Sequence, residues 1–295
     1  MNSALRAGCD MCHSARMTRQ SKFAENDGIR IHYSVGGDGP LIVAVHGFPD
    51  YHGSWDDILP YLEDGYRVAA MDLRGYNLSD QPDDVDAYDI RTLCTDVAAV
   101  IRAEGEERAI IMGHDFGGAL AWQLAIFSPQ LVSHLIVFST PHPVLFRQEI
   151  GANPEQKERS QYARNFQTEG SEDRLSVDKI LGIMKLEDEA KIEKYRAAFE
   201  RSSFRGMMNM YRKAFPKGTG PRPADPDALP KVKAPTLIIH GTDDVALATS
   251  GHDNSWNYAE NDLTLMTVPG AGHWVHHEKP ELAGKTVRAW LDIRE

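Results

Sequence analysis

After residue 40 the chain repeats one arrangement: a short, unbroken apolar run followed by a longer stretch with apolar residues at helical spacing. Apolar runs of strand length without polar alternation read as strands buried on both faces. Strands that alternate with helices pair in parallel, because a parallel return needs a long crossover. The runs fall at residues 41–45, 67–71, 109–112, 135–138, 236–239 and 264–268. Two earlier strands, 21–26 and 30–35, flank Asp27-Gly28, a dipeptide suited to a tight hairpin, and add an antiparallel pair. Helices are expected at 90–104, where Leu93, Val97, Val100 and Ile101 share a face, at 118–127 and at 280–293. The expected fold class is α/β, with a mostly parallel eight-stranded sheet flanked by helices.

The alternation stops between Pro143 and Pro230, where charge is dense and apolar residues keep helical spacing. Prolines mark both edges: Pro141 and Pro143 on one side, and Pro216, Pro221, Pro223, Pro226 and Pro230 on the other. This reads as a helical cap, 143–230, inserted into a core made of 21–142 and 231–295. Local disorder would suit 153–160 and 218–227 but not the aromatic residues between them. Residues 1–20 are read as a leader outside the fold. They contain Cys9-Asp10-Met11-Cys12-His13, which matches a haem-attachment pattern, but no apolar export segment accompanies it. With Cys94 the only other cysteine, a disulfide framework is excluded.

The chain has 295 residues, with 43 acidic against 32 basic and a formal charge of −11. There is no basic stripe with interleaved aromatics and no apolar stretch near the ~20 residues that span a bilayer. Nucleic acid and membrane are therefore not expected partners. The expected setting is the cytoplasm, with no cofactor and no metal. Oligomeric state is not legible.

The chemistry concentrates at Gly113-His114-Asp115-Phe116-Gly117, which follows the 109–112 strand and precedes a helix. Small residues on both sides let the chain turn sharply and expose the central side chain, as in the G-x-S-x-G elbow. Asp115 in that place is a nucleophile already ionised near neutral pH, since an ordinary Asp has a pKa of ~3.9. A hydroxyl opening an epoxide or displacing a halide would leave a stable ether. A carboxylate leaves an ester that activated water can cleave. The competing reading of Asp115 is a helix N-cap.

Five motifs occur in order, each at the C-terminal end of a strand. They are His46-Gly47-Phe48-Pro49, Asp72-Leu73-Arg74-Gly75-Tyr76, the elbow continuing to Gly118, Gly241-Thr242-Asp243-Asp244 and Gly272-His273-Trp274. In these the chain resembles an α/β-hydrolase of the soluble epoxide hydrolase branch, over residues 22–295. The resemblance implies an α/β-hydrolase fold and a nucleophile–acid–histidine order of Asp115, Asp244 and His273. His273 then acts as general base for water and Asp244 orients it. Asp243 is the neighbouring rival, and Asp244 is preferred because the family's acid stands three residues after the glycine. The amides of Phe48 and Phe116 are the expected oxyanion donors. Phe48, Phe116 and Trp274 are expected to line the substrate pocket. His46 and His114 are read as structural, satisfied by backbone groups. His276 and His277 are read as bystanders at the start of the final helix.

An epoxide leaves as an alkoxide and needs a proton donor, whereas a halide leaves charged. Tyr162 and Tyr211, in the region read as a cap, resemble the two cap tyrosines of epoxide hydrolases and would supply that donor. Tyr195 shows that packing alone also places tyrosines there. The resemblance thus implies a small-molecule epoxide and water as substrates, with a vicinal diol as product. A haloalkane or haloacid dehalogenase with the same triad is the alternative. It fits less well, because Phe116 lacks the indole N–H or guanidinium that those families place after the nucleophile. A non-catalytic small-ligand-binding protein on the same fold is the second alternative. Two departures stand out: Phe116 replaces the usual Trp, and Asn77 replaces a Gly in a loop that favours positive φ.

Overall fold

The computed structural model describes residues 18–214 and 229–294. Eight strands form one sheet: β1 (Gln20–Asn26), β2 (Ile29–Gly36), β3 (Leu41–Val45), β4 (Arg67–Met71), β5 (Ala109–His114), β6 (Val132–Phe138), β7 (Thr236–Gly241) and β8 (Leu263–Val268), in spatial order 1-2-4-3-5-6-7-8. β1, β2 and β4 pair antiparallel, and every later pairing is parallel. Asp27 and Gly28, both at positive φ, close the opening hairpin with Asn26 opposite Ile29.

β3, β5 and β7 are buried at every position, as continuous apolar runs require when helices cover both faces. One face packs on α1 (Ile90–Ala103) and α2 (Phe116–Phe127), the other on helices that include the last of the chain, and the two faces contribute to separate cores. Asp89 caps α1 through the Arg91 amide. Among the described residues no helix is long and apolar enough to cross a membrane.

Between β6 and β7 lies a run of short helices: α3 (Pro143–Ala152), α4 (Pro154–Arg159), α5 (Gln161–Phe166), α6 (Val177–Met184), α7 (Glu189–Arg201) and α8 (Phe204–Ala214). Within 153–160, residues Pro154–Arg159 form a helix, with Asn153 and Ser160 as its caps. Asn153 caps α4 through the Glu155 and Gln156 amides, and Pro154 takes the first helical position, where no N–H is needed. Residues 218–227 and the prolines at 216, 221, 223 and 226 lie outside the described residues, as do the leader's cysteines.

Three boundaries differ from expectation. Gln20 pairs with Val35, and Arg19 donates to the Ser34 hydroxyl (3.0 Å) and the Val68 carbonyl (3.1 Å), so the fold begins before residue 21. α2 starts at Phe116, two residues early, because the elbow itself supplies the first turn. His276 and His277 sit on a one-turn helix of their own, α9 (Val275–Glu278), ended before Pro280 opens α10 (Pro280–Asp292).

Candidate active site

The elbow is built by close approach. A side chain on Gly117 would put a carbon 1.9 Å from the Val45 carbonyl oxygen, and one on Gly113 would meet the Gly117 oxygen at 2.3 Å. Glycines there let β5 turn directly into α2 against β3. Gly47 is needed for a different reason: its missing Cβ would fall 2.3 Å from that of Asp115. Asp115 itself holds φ 52° and ψ −117°, an uncommon backbone for a residue with a side chain. The Thr140 hydroxyl and the Ala119 amide fix its carbonyl at 2.9 and 3.0 Å.

The Asp115 carboxylate makes no cap bond to its own helix. It turns instead toward the β3 loop, where the Phe48 amide donates to Oδ1 at 2.9 Å. Phe116 begins α2, so its N–H belongs to the first turn, whose amides have no carbonyl within the helix. Of the two amides expected to bind an oxyanion, that of Phe48 already meets this carboxylate, and that of Phe116 opens the helix directly after it.

His273, on the loop after β8, approaches Asp115 Oδ2 with Nε2 at 3.4 Å and Asp244 Oδ2 with Nδ1 at 2.8 Å. Asp244 is buried and its other oxygen accepts the Ala246 and Leu247 amides at 2.7 and 2.9 Å, so its direction is fixed. Asp243 is exposed and bonds the Thr242 hydroxyl. The His273 carbonyl is pinned by the His114 ring and the Ser139 hydroxyl, each at 2.9 Å. His46 donates through Nδ1 to the Gly47 carbonyl at 2.8 Å and accepts the Leu73 amide on Nε2 at 3.0 Å. Both histidines read as structural thus bond to backbone.

Electrostatically, Asp115, His273 and Asp244 form an alternating triplet. Burial alone would raise both carboxyls, but the hydrogen bonds and charge of His273 outweigh it and hold both below the usual carboxylate value. Burial would likewise lower His273. The charge of Asp244 and the bond to Asp115 outweigh it and lift the imidazole to about 10. Resting His273 is an imidazolium between two carboxylates.

Above the elbow, Tyr211 packs edge-on to Phe48 (5.4 Å between centroids), Phe116 (4.8 Å), Phe166 (5.1 Å) and Tyr162 (6.1 Å). Its hydroxyl is buried and has no hydrogen-bond partner of normal geometry among the described residues. Burial, reinforced by nearby negative charge including Asp115, raises both phenols, so both keep their protons. Phe166 belongs to this cage although no sequence pattern singled it out. Trp274 packs against the same hydrophobic cluster, with its ring 5.0 Å from His273, and it also lines a cleft with Tyr51, Tyr195 and His277.

Asn77 holds φ 44°, the left-handed region that Asn tolerates. Its amide donates to Asp72 at 2.8 Å, and its carbonyl oxygen accepts from Arg201 on α7 at 2.9 Å. The replacement for glycine thus adds two side-chain bonds to the tie that its backbone N–H already makes to the Ser202 hydroxyl at 2.8 Å.

The sequence pattern of the alpha/beta hydrolase fold matches residues 40–280. The chain belongs to the α/β-hydrolase family. This α/β-hydrolase is 34% identical to the AB hydrolase superfamily protein YfhM of Bacillus subtilis (strain 168), over 92% of this chain and 97% of the relative. It is 33% identical to Epoxide hydrolase 1 of Caenorhabditis elegans, over 92% and 70%. The crystal structure of Bacillus megaterium epoxide hydrolase in complex with an inhibitor superposes with a TM-score of 0.85 at 28% identity, covering 92% of this chain and all of that one. The protein is a hydrolase and is epoxide hydrolase-like.

Proposed function

We propose that this α/β-hydrolase opens epoxides to vicinal diols through an alkyl ester on Asp115. The observation that carries the reading is an ionised carboxylate at the elbow beneath two neutral phenols, Tyr211 and Tyr162, in an otherwise apolar cage. A carboxylate can attack an sp3 carbon without a base, and an alkoxide needs the donors that phenols provide.

In the first half-reaction Asp115 forms a bond to an oxirane carbon, the ring C–O bond breaks, and the oxygen takes up a proton through the tyrosine hydroxyls. Esterification removes one of the two negative charges that raise His273. Its proton affinity falls, the imidazolium proton passes to the phenolate left when the tyrosines protonate the alkoxide, and the neutral imidazole is then a base when one is needed. It then takes a proton from water, which adds to the ester carbonyl while the Phe48 and Phe116 amides hold the oxyanion. The acyl–oxygen bond breaks, the imidazolium gives its proton to the leaving alcohol, and the carboxylic acid left on Asp115 returns its own proton to His273, which restores the resting pair. The net change is epoxide plus water to diol. Residues 143–230 serve as the cap that closes over the substrate, and its described helices α5 and α8 carry both tyrosines.

Product analysis over aryl, alkyl and terminal epoxides, with a haloacetate as control, tests the reading. Diol from at least one epoxide class and no halide is the expected result. Halide release instead would favour a dehalogenase, and tight binding without product a receptor. Tyr162→Phe and Tyr211→Phe are each expected to slow alkylation by about one to two decades, the worth of one charge-assisted hydrogen bond of ~1.5 to 3 kcal/mol. Single-turnover rates of ester formation measure this, and unchanged rates in both variants would remove the tyrosines from the mechanism.

A further inference from the structure

Behind the loop that carries His273, three ligand-type side chains from distant parts of the chain converge. Asp50 follows β3, His114 ends β5 and His276 lies on α9. All three are fully buried, and one ligand atom from each lies within 4.8 Å of the other two. We propose that Asp50, His114 and His276 bind a divalent cation of the zinc class.

The hydrogen bonds around the cluster decide its chemistry. His114 Nε2 faces the His273 carbonyl, which can only accept, so Nε2 carries the proton and Nδ1 a free lone pair. No described group donates to that Nδ1. Asp50 Oδ1 accepts the Tyr195 hydroxyl (2.8 Å) and the Tyr51 amide (3.1 Å), whereas Oδ2 has no hydrogen bond of normal geometry, although the Trp274 indole N–H also faces this carboxyl group. Neither ring nitrogen of His276 has one. Buried polar atoms left in this way cost stability.

The surroundings follow the outer-shell pattern of metal centres, in which a ligating histidine gives its other N–H to a backbone carbonyl and a ligating carboxylate is itself hydrogen-bonded. Two imidazoles and a carboxylate form a common zinc ligand set. Three points no more than 4.8 Å apart fit within about 2.8 Å of one centre, so zinc–nitrogen bonds of ~2.0 Å require side-chain shifts of under about 1 Å. His277 Nε2, 3.9 Å from Asp50 Oδ2, borders the site, and His277 also lines a cleft of about 660 Å³ with Tyr51, Tyr195 and Trp274.

A second group, His32, His52 and Asp72, has similar composition and the opposite character. His32 Nδ1 and His52 Nδ1 already bond the two Asp72 oxygens at 2.7 and 3.0 Å, so those atoms are used by one another. It provides the internal control.

The test uses the full chain without an affinity tag, with Cys9→Ser and Cys12→Ser so that leader thiols do not contribute. Metal-stripped protein is titrated with Co²⁺ and then Zn²⁺. One equivalent of Co²⁺ with visible d–d absorption, displaced by Zn²⁺, is expected. His276→Gln should weaken binding by at least about 100-fold, the upper end of what loss of even an outer-shell partner costs. The near-isosteric Asp50→Asn decides the same point if His276→Gln does not fold. His52→Gln and Asp115→Asn should bind as the parent does. Absence of stoichiometric binding overturns the proposal, as does binding that survives both ligand substitutions or is lost with His52→Gln or Asp115→Asn.

Discussion

Asp115→Ala abolishes diol formation while leaving the fold intact. The loss expected is on the order of 10⁶-fold in kcat, the scale seen when the nucleophile is removed from a triad that works as a unit. Nothing else near the elbow can take its place. The Phe48 amide that now donates to Asp115 Oδ1 would face the pocket, and His273 would keep Asp244 but lose its second carboxylate. Alanine keeps the Cβ that faces Gly47 and removes only the carboxylate, so it adds no new contact there. Circular dichroism and thermal melting close to the parent, with turnover at background, are the expected results. Turnover within about tenfold of the parent would place the nucleophile elsewhere.

His273→Gln gives a different failure. Asp115 needs no base to attack, so alkylation continues, whereas ester hydrolysis loses a positioned base worth ~100 to 10,000-fold. The ester therefore accumulates. Intact-mass analysis should show the chain heavier by one substrate molecule, and peptide mapping should locate the addition at Asp115. The amide of Gln can still face Asp244, whose direction is held independently by the Ala246 and Leu247 amides. A variant that neither turns over nor becomes labelled would show that His273 acts in the first half-reaction as well.

Much of this architecture was legible because it is local. Apolar runs of strand length, the Asp27-Gly28 turn and the helical spacing on α1 each concern neighbours in sequence, and all eight strands lie where those patterns fall. The elbow was legible because only glycines allow the approach of Gly113 and Gly117 to their neighbours. The asparagine at 77 was noted as a departure, but its bonds to Asp72 and Arg201 depend on a loop and a helix brought together by the fold.

What sequence did not disclose is tertiary. Phe166 enters the aromatic cage through α5 packing on α8, and no spacing announces that. Asp50, His114 and His276 are separated by 64 and 162 residues along the chain, and only the sheet order makes them neighbours. His276 and His277 read as ordinary helix-start residues because nothing local reveals that Pro280 restarts the helix and leaves them inside the protein. His240 and His252, bonded to each other at 2.8 Å behind Asp244, were likewise invisible. Burial determines the chemistry of such groups, and burial is a property of the fold.

The central claim is that Asp115 becomes covalently joined to the substrate and that water then attacks its carbonyl carbon. A single turnover in oxygen-18 water, with enzyme in excess over epoxide, tests it directly. The predicted result is one heavy oxygen in the peptide containing Asp115 and none in the diol, because the diol's new oxygen comes from the original carboxylate. Label in the diol with none in that peptide would mean that water attacked the epoxide itself, and the ester mechanism would be wrong.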